Sequence, residues 1–220
     1  MSRYKDLVKR RRQKQIIITV VFLLVIAGGW IYPAIGYLVP LCMLLGIFLG
    51  IFKGRIWCNY YCPRGSFFDV AGKPLSPQKK IPVFLRSFWF RVVILVLMML
   101  MMSLQISKRV PDFKNIGTFF VTLLTAVTLV GIVLSLIIHQ RTWCSFCPVG
   151  SLSNWFCIKE PFLKIDSTKC VQCKLCAKVC PIQLKPYRFA SEGINEVLEK
   201  DCLRCSLCVE VCPKDALIKN

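Results

Sequence analysis

The sequence predicts a mostly α protein with four transmembrane helices in two parallel repeats, followed by a small, cysteine-rich α+β domain. Three observations carry that expectation. No charged residue occurs from Ile16 to Phe52. The pattern CxxCxxCxxxCP is written twice, in "KCVQCKLCAKVCPIQLKP" from Lys169 and "DCLRCSLCVEVCPKDA" from Asp201. A second duplicated motif, "RIWCNYYCPRGS" from Arg55 and "RTWCSFCPVGS" from Arg141, follows the second and fourth apolar stretches. The expected divisions are a basic leader at 1–15, a four-helix membrane domain at 16–158 and the cysteine-rich domain at 159–220.

One straight span needs about 20 apolar residues. The run 16–52, broken by Gly28, Gly29, Pro33 and Gly36, therefore fits two short spans joined by a tight turn. The third apolar stretch runs from Val92 to Ile106, extended backward by Phe88, Trp89 and Phe90, and the fourth from Ile116 to Ile138. None alternates with a polar face as a soluble amphipathic helix does. The leader carries Arg3, Lys5, Lys9, Arg10, Arg11, Arg12 and Lys14. The middle loop carries Lys53, Arg55, Arg64, Lys73, Lys79, Lys80, Arg86 and Arg91, whereas the loop between the third and fourth spans has only Lys108, Arg109 and Lys114. By the positive-inside rule both termini, and the cysteine-rich domain with them, face the cytoplasm from the inner membrane. The formal net charge of +19 then reflects anionic headgroups, not nucleic acid. A signal peptide is excluded, because the apolar run is too long and lacks a small-residue cleavage pattern.

Eight of the 14 cysteines lie in the two long runs. In a chain that is not a small secreted domain this spacing does not point to disulfides. Zinc ribbons, built from CxxC pairs, leave the third cysteine of each run and Pro181 and Pro213 without a reason. Residues 166–218, with the closing "CPKDALI", resemble a bacterial dicluster ferredoxin, in which the first three cysteines of a run hold one cluster and the fourth holds the other. The resemblance implies two [4Fe–4S] clusters: one on Cys170, Cys173, Cys176 and Cys212, the second on Cys202, Cys205, Cys208 and Cys180. Glycine often follows the second cysteine in that family, where Lys174 and Ser206 stand here.

In the other motif, a helix pair followed by cysteines occurs twice in the same orientation, as expected of two halves related by an axis along the membrane normal. That symmetry brings Cys58 and Cys62 near Cys144 and Cys147, four thiolates able to hold a third cluster or another metal. The purely structural alternative is a pair of tight turns, with Trp57 and Trp143 in the aromatic belt and Pro63 and Pro148 as helix stops. Together with the ferredoxin runs, the motifs resemble the membrane-bound polyferredoxin family. That family includes the NapH-type quinol dehydrogenase subunit, the membrane part of the nitrous oxide reductase maturation protein and a copper-reducing oxidase-assembly factor. The chain shows no large extracytoplasmic flavin-bearing domain, a departure from the nitrous oxide type.

The resemblance implies a membrane-anchored electron-transfer subunit working between the quinone pool and a redox protein partner, with quinol oxidised near Trp57 and Trp143. The alternatives are a copper or metal reductase in metalloenzyme assembly and a redox sensor or assembly scaffold without turnover. His139, the only histidine, has two roles open: proton acceptor from quinol, or cap of the fourth helix, which the macrodipole favours. A single histidine excludes a bis-histidine haem. Spans without Asp or Glu exclude an intramembrane carboxylate relay. Cys42 reads as core packing, and Cys157 as a spare ligand to the paired motifs or a buried hydrophobe.

Overall fold

The computed structural model describes residues 2–109, 111–158 and 162–219, and over these the chain is mostly helical. Four helices are long and apolar enough to cross a membrane: Tyr4–Ile31, Pro33–Lys53, Phe88–Ser107 and Phe113–Ile137. They make this a multi-pass membrane protein, with Ile17, Leu24, Leu44, Leu97 and Val133 among the apolar side chains they leave exposed to lipid. The expected boundary between the membrane and cysteine-rich domains adjoins residues 159–161, which lie outside the described residues.

The basic leader is not a separate tail. One unbroken helix, Ser2–Ile31, carries it into the first span, so Arg11 and Gln15 are held at fixed positions on a rigid rod. A 3₁₀ turn, Pro33–Tyr37, with proline at its start, reverses the chain into the second span. Here the first and second halves of the membrane domain touch backbone to backbone. A Cβ on Gly36 would lie 2.1 Å from the Gly117 carbonyl oxygen, and one on Gly117 would lie 2.2 Å from that of Pro33. Small residues allow such contact where lipid gives helices no hydrophobic reason to associate. Along the fourth span Thr118, Thr122, Thr125 and Thr128 each donate to the carbonyl four residues back, which satisfies hydroxyls that would otherwise be stranded in hydrocarbon.

After the second span, Gly54 turns the chain with φ +55°, and the short helices Ile56–Tyr60 and Pro63–Phe67 follow. After the fourth come a 3₁₀ turn, Trp143–Ser145, and the helix Pro148–Trp155. Pro63 and Pro148 are therefore helix starts and not the expected stops: each occupies the first turn of a new helix, where its missing N–H costs nothing. Trp143 is likewise not in the interfacial belt, for it is 8% exposed and packs with Phe68, Ile81, Leu85 and Phe146 in a buried core cluster.

The cysteine-rich domain closes on a two-stranded antiparallel sheet, β1 (Leu163–Ile165) and β2 (Leu217–Lys219), with Leu163 opposite Lys219. It docks on the membrane domain through charge and hydrogen bonding. Asp201 accepts from Arg55 at 3.0 Å, from Arg91 at 2.9 and 2.5 Å and from Asn154 at 3.0 Å. Gln183 accepts from the Ile81 N–H at 3.0 Å and donates to the Lys79 carbonyl at 2.9 Å, while Arg86 donates to the Ile182 carbonyl.

Candidate metal centre

In each long cysteine run the backbone is wound by residues in the left-handed region at matching positions. Gln172 and Arg204 precede the second cysteine, Lys174 and Ser206 follow it, and Gln183 and Asp215 come three residues after the last, all with φ between 46° and 61°. This winding turns successive thiols inward, and the short helices Leu175–Lys178 and Leu207–Glu210 then carry the third cysteine of each run. Cys170, Cys173, Cys176 and Cys212 line one cavity of about 380 Å³ of empty space. Cys180, Cys202, Cys205 and Cys208 line another of about 440 Å³. Each quartet thus takes three cysteines from one run and one from the other.

Without a bound metal these buried thiols keep their protons. Burial pushes Cys180 up to about 11 and Cys202 up to about 12, although backbone N–H groups of Leu184 and Arg204 point at their sulfurs from 3.3 and 3.4 Å. A buried thiol of this kind ionises when a bound metal compensates its charge. Among the described residues no three His, Cys, Asp or Glu side chains converge tightly enough for a single metal ion. Four sulfurs around one zinc would lie ~3.8 Å apart, from the ~2.3 Å Zn–S bond; a cubane takes its thiolates at wider spacing.

The paired motifs converge as well, and by a device absent from the sequence reading. Arg141 donates to the Cys58 carbonyl at 2.9 Å and Arg55 donates to the Cys144 carbonyl. Each arginine is buried and balanced by one carboxylate: Arg55 by Asp201, and Arg141 by Asp69, which it grips through both oxygens at 2.7 and 2.6 Å. Burial would raise the Asp69 pKa, but Arg141 and then Arg11, 2.7 Å away, hold it down to about 2. In a chain with 11 acidic against 30 basic residues, a lone Asp just after a motif was the one available signal.

Around the four cysteines, Arg64 donates to Cys147 Sγ at 3.4 Å, the Gly65 N–H to Cys62 Sγ at 3.4 Å, and Arg141 to Cys144 Sγ at 3.7 Å. Burial raises the Cys58 thiol; Arg55 opposes this, while Cys147 and Cys144 add to it, so the thiols are near enough to feel one another's charge. Burial likewise lifts Cys62 to about 12. Among the described residues, the buried donor groups nearby that have no protein partner include Ser66 Oγ, Ser151 Oγ and Trp143 Nε1. Ser66 and Ser151 lie one helical turn beyond Cys62 and Cys147, their N–H groups bonded to those cysteines' carbonyls at 3.0 and 2.8 Å. Orphaned donors beside a thiolate quartet are what the sulfur-rich, acceptor-only surface of a cluster would satisfy, so the residues present fit such a group.

Cys58, Cys62 and Cys147 also line a partly open cavity, with about 1090 Å³ of empty space in and around it, whose walls come from all four spans, with Val21, Val39, Met98 and Val127 among them. Trp57, Trp143 and Arg64 line it, and so does Cys42, which the sequence placed only in packing. His139 is outside that lining: it is 3% exposed, its Nδ1 accepts from the Arg141 N–H at 3.1 Å, and its backbone N–H reaches the Leu134 carbonyl at the end of the fourth helix at 3.4 Å. Cys157 accepts from Arg204 at 3.0 Å, beside the second long run. On its other side, Cys58 packs with Ile182, Leu184 and Leu203 in a cluster that Cys180 and Cys202 join.

The model of a 4Fe-4S dicluster domain matches residues 162–213, and that of a 4Fe-4S binding domain matches 35–82 and 119–157, once over each paired motif. Two uncharacterized proteins of Methanocaldococcus jannaschii are similar. MJ0749 is 32% identical over 153 residues, covering 64% of this chain and 57% of its own length. MJ0750 is 29% identical over 164 residues, covering 69% and 68%. The match thus spans little more than half of the first relative. No solved structure matches. With one family model on the C-terminal domain and the other on both helix-pair halves, the chain is a ferredoxin-like iron–sulfur protein built on four membrane-type helices.

Proposed function

We propose that this protein relays single electrons between the quinone pool and a redox protein partner, as a quinol dehydrogenase-type subunit of the cytoplasmic membrane. One observation carries the reading: a lipid-level cavity is lined by Cys58, Cys62 and Cys147, and Cys58 is packed on its far side against the domain that contains Cys180 and Cys202. Cys58, Cys62, Cys144 and Cys147 would hold a third cluster, Cys180, Cys202, Cys205 and Cys208 the second, and Cys170, Cys173, Cys176 and Cys212 the first. Bound iron–sulfur clusters supply one-electron chemistry over a wide range of potentials. The chain supplies position, burial and hydrogen bonds to sulfur. Cys173 is exposed, which suits hand-over to the partner at the first quartet. Arg11 of the leader reaches Asp69, so the N-terminal helix begins on the same side as the ferredoxin domain, in keeping with both termini in the cytoplasm.

A second reading draws on the soft ligands Cys42, Met43 and Met98 in the same cavity: thioether and thiol sulfur suit cuprous ion, as a copper-reducing assembly factor would need. The deciding experiment replaces Cys58 and Cys144 together by alanine. Iron and acid-labile sulfide per chain should fall by about a third in the anaerobically purified protein, since one of three clusters is lost. Low-temperature spin resonance of the ferredoxin clusters should persist, and their reduction by a quinol analogue should stop. Unchanged iron with unchanged quinol reduction would make the membrane domain a mere anchor. Oxidation of the reduced protein by cupric ion, with no response to quinone, would favour the second reading.

A further inference from the structure

We propose that Arg64 is the headgroup receptor of the membrane cavity, donating hydrogen bonds to a ring oxygen of a quinone-type ligand. The proposal rests on the quinone reading above and adds the residue that orients the ligand. Among the described residues that line the cavity, Arg64 is the one charged side chain, and none is a carboxylate or a histidine. Its guanidinium lies over the Trp143 ring, 5.0 Å from the centroid, and one nitrogen donates to Cys147 Sγ at 3.4 Å. A guanidinium has five N–H donors in a rigid fork, so those two contacts fix its plane and leave donors for an acceptor oxygen from the apolar space beside it.

The paired motifs differ at this point. Where the first reads Cys-Pro-Arg-Gly-Ser, the second reads Cys-Pro-Val-Gly-Ser, and its Val149 also lines the cavity. The two loops therefore give the cavity one polar end and one apolar wall. An apolar pocket with a single convergent donor group selects a flat, apolar ring carrying an acceptor oxygen, and it sets one orientation. A ring oxygen on the Arg64 fork sits next to the guanidinium that touches Cys147.

The test uses anaerobically purified, cluster-loaded protein in detergent and follows tryptophan fluorescence, since Trp57 and Trp143 line the cavity, during titration with menadione. The parent should show saturable quenching. Arg64→Gln should raise the menadione Kd at least tenfold with iron and acid-labile sulfide unchanged, and Arg64→Lys, which keeps charge but loses the fork, should fall between. Val127→Phe, which enlarges a side chain in the apolar wall of the cavity, should abolish quenching. An unaltered Kd in Arg64→Gln overturns the assignment; if that variant loses iron, a parent-like Kd in Arg64→Lys overturns it instead. Displacement of menadione by phosphatidylglycerol from the parent and not from Arg64→Gln would give the site to a lipid phosphate and overturn it too. Absence of saturable quenching in the parent would bring down the quinone reading itself.

Discussion

Arg141 donates a hydrogen bond through Nη1 to the carbonyl oxygen of Cys58, 2.9 Å away, although 83 positions separate the two. Arg55 does the same for Cys144, so each motif's arginine closes the other motif's cysteine loop. The exchange also accounts for the glycine that both motifs share. A Cβ on Gly65 would come 2.9 Å from Arg141 Nη1, and one on Gly150 would come 2.8 Å from Arg55 Nη2. The tryptophan, proline and cysteine of the motif build a loop; the arginine and glycine join two loops into one site.

Breaking one half of this exchange should cost about 1–3 kcal/mol, because it takes the donor from the buried Cys58 carbonyl and leaves Asp69 with only Arg11 and Gln15 as partners. Arg141→Met should lower the thermal midpoint of the detergent-solubilised protein and release iron from the paired motifs first. Adding Asp69→Leu should not recover the loss, because it takes the carboxylate from Arg11 and Gln15 as well. A single-variant loss below about 1 kcal/mol, in the range of exposed ion pairs, would mean that other contacts hold the halves together.

Lys174 and Ser206 occupy φ 61° and 60°, a conformation that costs an L-residue roughly 1–2 kcal/mol. Glycine removes that cost but gives the unfolded chain more freedom, worth about 0.5–1 kcal/mol. The net gain expected for Lys174→Gly or Ser206→Gly is therefore about 0.5–1 kcal/mol by the same two terms. Cluster bleaching on heating, followed by visible absorption under argon, should shift to higher temperature in each variant. Earlier bleaching in both would show that the side chains contribute more than the backbone conformation costs.

Burial depresses the His139 pKa from 6.5 to about 4. The folded imidazole refuses a proton that the unfolded chain accepts, so His139 leaves stability untouched above pH 6.5 and subtracts from it as pH falls from there toward 4. The slope cannot exceed about 1.4 kcal/mol per pH unit for one proton. Thermal midpoints between pH 7.5 and about 5 should decline more steeply in the parent than in His139→Asn, which still offers an acceptor to the Arg141 N–H. Parallel profiles would assign the acid sensitivity to other groups.

The spans, the doubled ferredoxin runs and the paired motifs were all legible in the sequence, because each is a local regularity. An uncharged stretch of bilayer length has few folds open to it, and CxxCxxC spacing wraps a chain on itself within a few residues. Lys174 was visible too, standing where glycine is usual. What the tertiary structure alone decided is which groups meet across distance. Asp201 reaches Arg55 over 146 positions and Asp69 reaches Arg141 over 72, Cys42 joins the cavity wall, and His139 is withdrawn from it. Burying a guanidinium is tolerable only with a carboxylate beside it, and no spacing rule says which carboxylate that will be. The choice belongs to the packing of four helices against one small domain, where every buried charge must find its partner at once.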